Sequence, residues 1–110
     1  MLHITDIELL NEMKSDGALF ILFGGEHCSV CQSIRPQLCL MLEQQFADMR
    51  GVYVDCEKSP DICAQHSVFT LPVVQAYIDG MKIAEEARAF SLKQLAVTIE
   101  RPYLMWKKSI

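Results

Sequence analysis

Two cysteines separated by two residues, Cys28 and Cys31, are the strongest candidates for chemistry in this sequence. They stand between an apolar stretch typical of a buried strand and the first turn of a long helical pattern. Unpaired backbone N–H groups and the helix dipole stabilise an anion at a helix start, so a thiol there loses its proton more easily. Because the thiolate is the attacking species in thiol–disulfide exchange, we expect Cys28 to be the nucleophile.

The second cysteine has a different expected role. With two residues between them on a helical turn, the Cys31 sulfur comes within bonding distance of Cys28. Cys31 can therefore resolve a mixed disulfide between Cys28 and a substrate. The alternative is that both are small buried hydrophobes, as free cysteines often are, but the strand-to-helix junction favours the redox interpretation.

The elements that must hold this pair are a central strand and a long helix. Residues 18–23 are apolar on both faces and bounded by glycines, which predicts a strand at the sheet centre with helices on both sides. A helical pattern follows over about residues 29–49, and Pro36 inside it predicts a kink.

Shorter elements complete an α/β layer structure. Capping boxes at Thr5 and Ser91 predict a first helix that closes near Asp16 and a last helix that stops before Pro102. The other expected elements are short strands at residues 2–4 and 52–54, a short helix from Ser59-Pro60 to about His66, and a hairpin with Asp79-Gly80 between strands 73–78 and 81–87. This order predicts helices on both faces of a mixed four- or five-stranded sheet. We expect one domain at residues 1–102 and a C-terminal tail at 103–110.

Composition restricts the partners. The 110 residues carry a net charge of −4, the opposite of the basic surface that binds a phosphate backbone, so nucleic acid is not expected. The longest apolar run, residues 18–23, is too short to cross a membrane, and the amino terminus lacks the features of a secretory signal. A cytoplasmic protein without a membrane partner is therefore expected. The oligomeric state is left open.

The sequence resembles the thioredoxin family over about residues 5–101. The shared features are the apolar segment leading into Cys28-Ser29-Val30-Cys31, Pro36, Thr70-Leu-Pro-Val73, Asp79-Gly80 and Ser91. The resemblance implies a thioredoxin-like three-layer sandwich and thiol–disulfide exchange with protein substrates, with no cofactor or metal. It also implies a thioredoxin-reductase-type enzyme or glutathione as reductant.

The resemblance also implies a substrate groove beside the cysteines. In the family, the proline that matches Pro72 is cis and lies against the cysteine pair, and the backbone before it pairs with an extended substrate chain. This implies substrate-binding roles for Leu71 and Pro72, and for His27, Ser29 and Val30 around the motif.

Departures from the family pattern bear on the chemistry. His27-Cys28-Ser29-Val30-Cys31 replaces the usual Trp-Cys-Gly-Pro-Cys, and the two inner residues tune the redox potential in the family. The buried acid of the central strand aligns with Leu22 and its lysine partner with Tyr53, so no acid–base helper is expected there. Cys31 should then be harder to deprotonate, and substrate reduction slower than in ordinary thioredoxins.

His27 and Arg88 each allow two interpretations. An imidazolium at His27 would stabilise the Cys28 thiolate, whereas neighbouring residues on an extended segment tend to diverge, which favours a solvated histidine pointing away. Arg88 stands where the family usually has a glycine lining the groove. It either selects acidic partners, with Phe90 as an apolar contact, or packs its stem on the sheet edge.

Three further cysteines, Cys39, Cys56 and Cys63, carry weaker signals, as does the tail. Together with Cys28, Cys31 and His66 they fit no familiar zinc spacing, so we expect buried packing for Cys39 and Cys56, and secondary oxidation at Cys63. The tail at 103–110 has three interpretations: it folds onto the domain, it binds a partner, or it is disordered. The alternative function is a non-catalytic binding module or assembly chaperone that recognises a partner through the groove near Pro72 and this tail.

Overall fold

The computed structural model describes residues 1–110 as a five-stranded mixed sheet covered by helices on both faces. The elements are β1 (Leu2–His3), α1 (Ile7–Ser15), β2 (Ala18–Gly24), α2 (Ser29–Gln45), β3 (Arg50–Asp55), α3 (Pro60–Gln65), β4 (Val73–Ile78), β5 (Met81–Ala87) and α4 (Leu92–Ser109). The strand order is β1-β3-β2-β4-β5. The strands β1, β3 and β2 run parallel, and β4 is antiparallel to both β2 and β5. None of the helices has the length and apolarity that crossing a bilayer requires.

The central position predicted for β2 is confirmed, because all of its residues are buried. Phe20 and Leu22 face a core shared with α2 and α4, while Leu19, Ile21 and Phe23 face a second core shared with α1 and α3. Full burial of such a side chain contributes roughly 1.5–3 kcal/mol. The carboxyl end of β2 is therefore held in place by the core on both faces, and it fixes the start of the loop that follows.

Two predicted helix ends differ in the structure. Asp6, and not Thr5, is the N-cap of α1, because its carboxylate accepts the Glu8 N–H at 2.9 Å. The helix α2 runs through Pro36 and ends at Gln45, short of residue 49, because the buried Phe46 begins the turn into β3. The cap predicted at Ser91 is confirmed, since its hydroxyl accepts the Gln94 N–H at 3.1 Å.

The prediction that the last helix stops before Pro102 is wrong. The helix α4 continues to Ser109, so the tail is its last turns. A proline inside a helix costs about 3 kcal/mol, but buried aromatic packing offsets it. Tyr103 meets Phe46 edge-on with ring centres 5.1 Å apart, and its hydroxyl accepts the Asp48 N–H at 3.0 Å. Of the three interpretations of the tail, folding onto the domain is the one observed.

Candidate active site around Cys28 and Cys31

The loop after β2 places the cysteine pair at the start of α2. Cys28 is the N-cap and Cys31 lies in the first turn. A disulfide joins them across a Cα–Cα distance of 5.2 Å, which confirms the predicted bonding distance. Cys28 is half-buried, whereas Cys31 is 0% exposed. Cys28 is therefore the more accessible of the two cysteines to a second protein.

The backbone at the helix start favours an anion on Cys28. The Cys31 N–H donates a hydrogen bond to the Cys28 Sγ at 3.3 Å. Such a bond strengthens when the acceptor is ionised, and the helix dipole acts in the same direction. The arrangement places a backbone N–H donor and a helix start beside the sulfur for which the sequence predicts a stabilised thiolate.

His27 pairs with a carboxylate that sequence reasoning missed. Its Nδ1 lies 3.0 Å from the Glu57 Oε2, and its backbone N–H donates to the Glu57 Oε1 at 3.4 Å. The side chain is 84% exposed. The hydrogen bond with Glu57, followed by the charges of Glu57 and Glu26, raises the pKa of His27. Because β2 and β3 are parallel and Gly24 pairs with Asp55, a carboxylate just after β3 could have been expected beside this loop.

The predicted groove residues are connected through Arg88. The Leu71–Pro72 peptide bond is cis, and the Arg88 N–H donates to the Pro72 carbonyl at 2.7 Å. Arg88 adopts φ = 63°, the left-handed region that favours glycine. Val30, Arg88 and Phe90 line one groove of about 290 Å³. Ser29 is exposed on the same helical turn as Val30.

A second disulfide joins two of the three remaining cysteines. Cys56 is bonded to Cys63 across a Cα–Cα distance of 5.7 Å, so simple packing was the wrong expectation for Cys56. The short helix α3 turns the chain back and brings the two sulfurs together. The Cys56 N–H donates to the Gly24 carbonyl at 2.8 Å, so this pair adjoins the strand that leads to Cys28. Cys39 is a free, half-buried thiol.

His66, grouped with the cysteines in the metal alternative, has other partners. The Lys14 ammonium donates to its Nε2 at 3.0 Å, and its Nδ1 lies 2.8 Å from the Ile62 carbonyl oxygen. Burial, opposed by the hydrogen bond to Ile62 and reinforced by the Lys14 charge, lowers the pKa of His66. Both ring nitrogens are thus engaged inside the protein.

The sheet order, the two helical layers and the bonded cysteines at the start of α2 define a thioredoxin-fold protein with a dithiol-type site. The oxidised mitochondrial thioredoxin 3 of Saccharomyces cerevisiae superposes with a TM-score of 0.76 at 23% identity, over 96% of this chain and 94% of its own. A mutant thioredoxin from Halobacterium salinarum gives a TM-score of 0.80 at 18% identity, over 93% and 88% of the two chains. The predicted fold is confirmed.

This chain belongs to the thioredoxin family, whose sequence model matches residues 1–101. The thioredoxin-like protein YdfQ of Bacillus subtilis is 29% identical over 101 residues, which cover 92% of this chain and 89% of that protein. Thioredoxin 1 of Thermosipho africanus is 30% identical with a TM-score of 0.72, over 82% of this chain and 98% of its own. Family and cysteine pair together indicate thiol–disulfide redox activity with protein thiols as partners.

Proposed function

We propose that this protein exchanges thiols and disulfides with protein substrates through Cys28 and Cys31 and serves redox homeostasis in the cytoplasm. One observation carries the proposal. A half-buried cysteine at a helix N-cap, with its sulfur 3.3 Å from a backbone N–H, is bonded to a fully buried cysteine three residues later. Attack and resolution are thereby divided between two residues of unequal access.

The exchange proceeds in two balanced steps. The Cys28 thiolate attacks one sulfur of a substrate disulfide, an S–S bond forms between them, and the other substrate sulfur leaves and takes up a proton. Cys31 then loses its proton and attacks the Cys28 sulfur, which restores the internal disulfide and releases the second substrate thiol. The substrate gains two electrons and two protons. A thioredoxin-reductase-type enzyme or glutathione returns two electrons and two protons to the cysteine pair. The exchange itself requires no organic cofactor on this chain.

The substrate chain is proposed to lie between the cis bond and the first turn of α2. Pro72 is hydrogen-bonded to Arg88, which shares its groove with Val30 of the first turn of α2. The backbone at Leu71 would pair with the substrate, while Ser29 and His27 border its path. An arginine at this place favours a carboxylate on the partner.

Trapping the mixed disulfide tests the proposed exchange. In Cys31→Ser the second step is lost, so disulfide-bonded substrate is expected to accumulate on the protein and to be released by dithiothreitol. Cys28→Ser should trap nothing, and neither variant should reduce insulin catalytically.

Iodoacetamide should label Cys28 of the reduced protein faster than cysteine in an unstructured peptide; equal labelling rates would contradict the proposal. A redox titration against glutathione gives the direction of the cycle.

The same trapping assay tests the role of Arg88. With Arg88→Gly, a peptide carrying a carboxylate beside its disulfide should be trapped about two- to fivefold more slowly, the size expected of an exposed charge pair. A peptide with a lysine at that place is the control and should not slow. The difference should vanish at high salt. Equal slowing of both peptides would remove the electrostatic role.

A second function, a binding module without catalysis, is favoured by two exposed apolar residues, one before the cis bond and one in the first turn of α2. Phe69, three residues before Pro72, is 80% exposed, and Val30 is 52% exposed. Aromatic and apolar side chains of this kind are enriched in interface cores. A module of this type would hold its partner equally well after Cys28→Ser and Cys31→Ser together, and would not reduce insulin.

A further inference from the structure

A buried tyrosine lies behind the cysteine pair with its hydroxyl unpaired. Tyr53 in β3 is 2% exposed, and its Oη makes no hydrogen bond. Buried polar atoms are nearly always paired, because leaving one unpaired costs free energy. An exception in a space that Cys31 also borders suggests a partner that exists only in the other redox state.

The hydroxyl and Cys31 approach the same small space. A Cβ atom added at Gly24 would lie 2.9 Å from the Tyr53 Oη and 3.1 Å from the Cys31 Cβ. The phenol reaches the underside of α2 because Gly24 has no side chain to exclude it. A larger residue at Gly24 would have to displace the hydroxyl or the helix start.

The charged groups around Tyr53 come from three elements and the loop after β3. The Arg35 guanidinium of α2 lies 4.4 Å from the ring centre, and the His3 ring of β1 lies 4.9 Å away. Burial is the main cause that raises the pKa of Tyr53 above 10, with Asp55 and Glu57 adding to the rise and Arg35 opposing it. The phenol therefore keeps its proton at neutral pH. It can share that proton in a hydrogen bond but does not transfer it to another group.

The neighbouring amide does not satisfy the hydroxyl. The Gln32 amide lies near enough to the phenol to oppose the rise in the pKa of Tyr53, which is the effect of an N–H donor, and the same NH2 group donates to the Gly25 carbonyl at 3.1 Å. The phenolic hydrogen is thus left for an acceptor that is absent while the sulfurs are bonded to each other.

We propose that the Tyr53 hydroxyl donates a hydrogen bond to the Cys31 thiolate when the pair is reduced, and so makes the resolving sulfur easier to ionise. The proposal rests on the proposed function and deepens its second step. Tyr53 keeps its proton throughout; the proton from Cys31 passes to solvent, and the leaving substrate thiolate takes one up. No base is added at the positions where the family has its acid and lysine, but the anion gains a donor in a site with few others.

The variant Tyr53→Phe tests this donor because it removes a single oxygen. The ¹³Cβ chemical shift of Cys31 in the fully reduced protein should be titrated in the wild type, in Tyr53→Phe and in Tyr103→Phe. The last variant is the control, since the Tyr103 hydroxyl pairs with the Asp48 N–H at 3.0 Å instead of approaching a cysteine. We expect the midpoint of Cys31 ionisation to rise by about one pH unit or more in Tyr53→Phe alone.

Kinetics give a second readout that a packing role would not produce. A mixed disulfide formed on Cys28 should resolve about tenfold more slowly in Tyr53→Phe at pH 7, and at the wild-type rate once the pH exceeds the raised midpoint. An unchanged midpoint, or the same slowing at every pH, would overturn the proposal. If Cys28 fails to attack substrate even in Cys31→Ser, the proposed function fails instead, and the titration still decides the role of Tyr53.

Discussion

Cys28 and His27 show how adjacent residues can serve different partners. The sulfur of Cys28 faces the amide of Cys31, while the imidazole of His27 faces Glu57. An imidazolium next to a carboxylate is neutral as a pair, so its field at the sulfur is weak. We therefore expect an anion at Cys28 to depend on the helix start and not on His27, whose side chain is 84% exposed.

The Glu57 carboxylate should control the titration of His27. In Glu57→Gln the pKa of His27, which this carboxylate raises, should fall towards 6.5. The wild-type pair contributes its stability fully below pH 6.5 and loses it as the pH rises through the raised pKa. An NMR titration of the His27 ring measures the shift, with Glu26→Gln as the variant of smaller effect.

Iodoacetamide labelling of Cys28 should be unchanged in His27→Ala; a slower rate there would show that the imidazolium supports the thiolate.

Elements with strong local signals were predicted well, and those fixed by distant contacts were not. The continuous apolar run of β2 and the Asp79-Gly80 hairpin need only their own residues, and both are as predicted. The end of α4 depends on Tyr103 packing against Phe46, far away in the chain. The Cys56–Cys63 bond likewise arises because α3 folds back. The spacing of apolar residues along the sequence carries no information about such long-range contacts.

The disulfide between Cys56 and Cys63 should stabilise the connection from β3 through α3. Closing a loop of about eight residues removes roughly 2.5 kcal/mol of unfolded-state entropy in the chain-entropy account. Cys56→Ser, at a half-buried position, should lower the unfolding free energy of the oxidised protein by about that amount in urea. Cys39→Ser, which removes the free thiol, is the matched control and should cost far less. Equal stability of Cys56→Ser and wild type under oxidising conditions would show that this bond does not support the fold.

At the scale of the whole molecule, the chemistry and the tail occupy opposite ends of the sheet. Cys28 follows the carboxyl end of β2, whereas Trp106 reaches the turn before its first residue, where a Cβ at Gly17 would lie 3.4 Å from the indole. Tyr103 closes the same end through Phe46 and Asp48. The last turns of α4 therefore contribute to the fold without contacting the cysteine site.

Removing residues 103–110 should separate stability from chemistry. The deletion takes away the buried Tyr103 and the half-buried Trp106, and truncating one large buried aromatic alone costs about 3–5 kcal/mol. Urea unfolding should show a loss of at least that size, whereas Tyr103→Phe should cost only about 1 kcal/mol for its hydrogen bond. Exposed Leu104 offers a neutral control as Leu104→Ala. The labelling rate of Cys28 per folded molecule should stay at the wild-type value, because the start of α2 keeps all its contacts. A truncated protein with unchanged stability would show that the tail is only appended to the fold, and slower labelling would show that the two ends of the sheet are coupled.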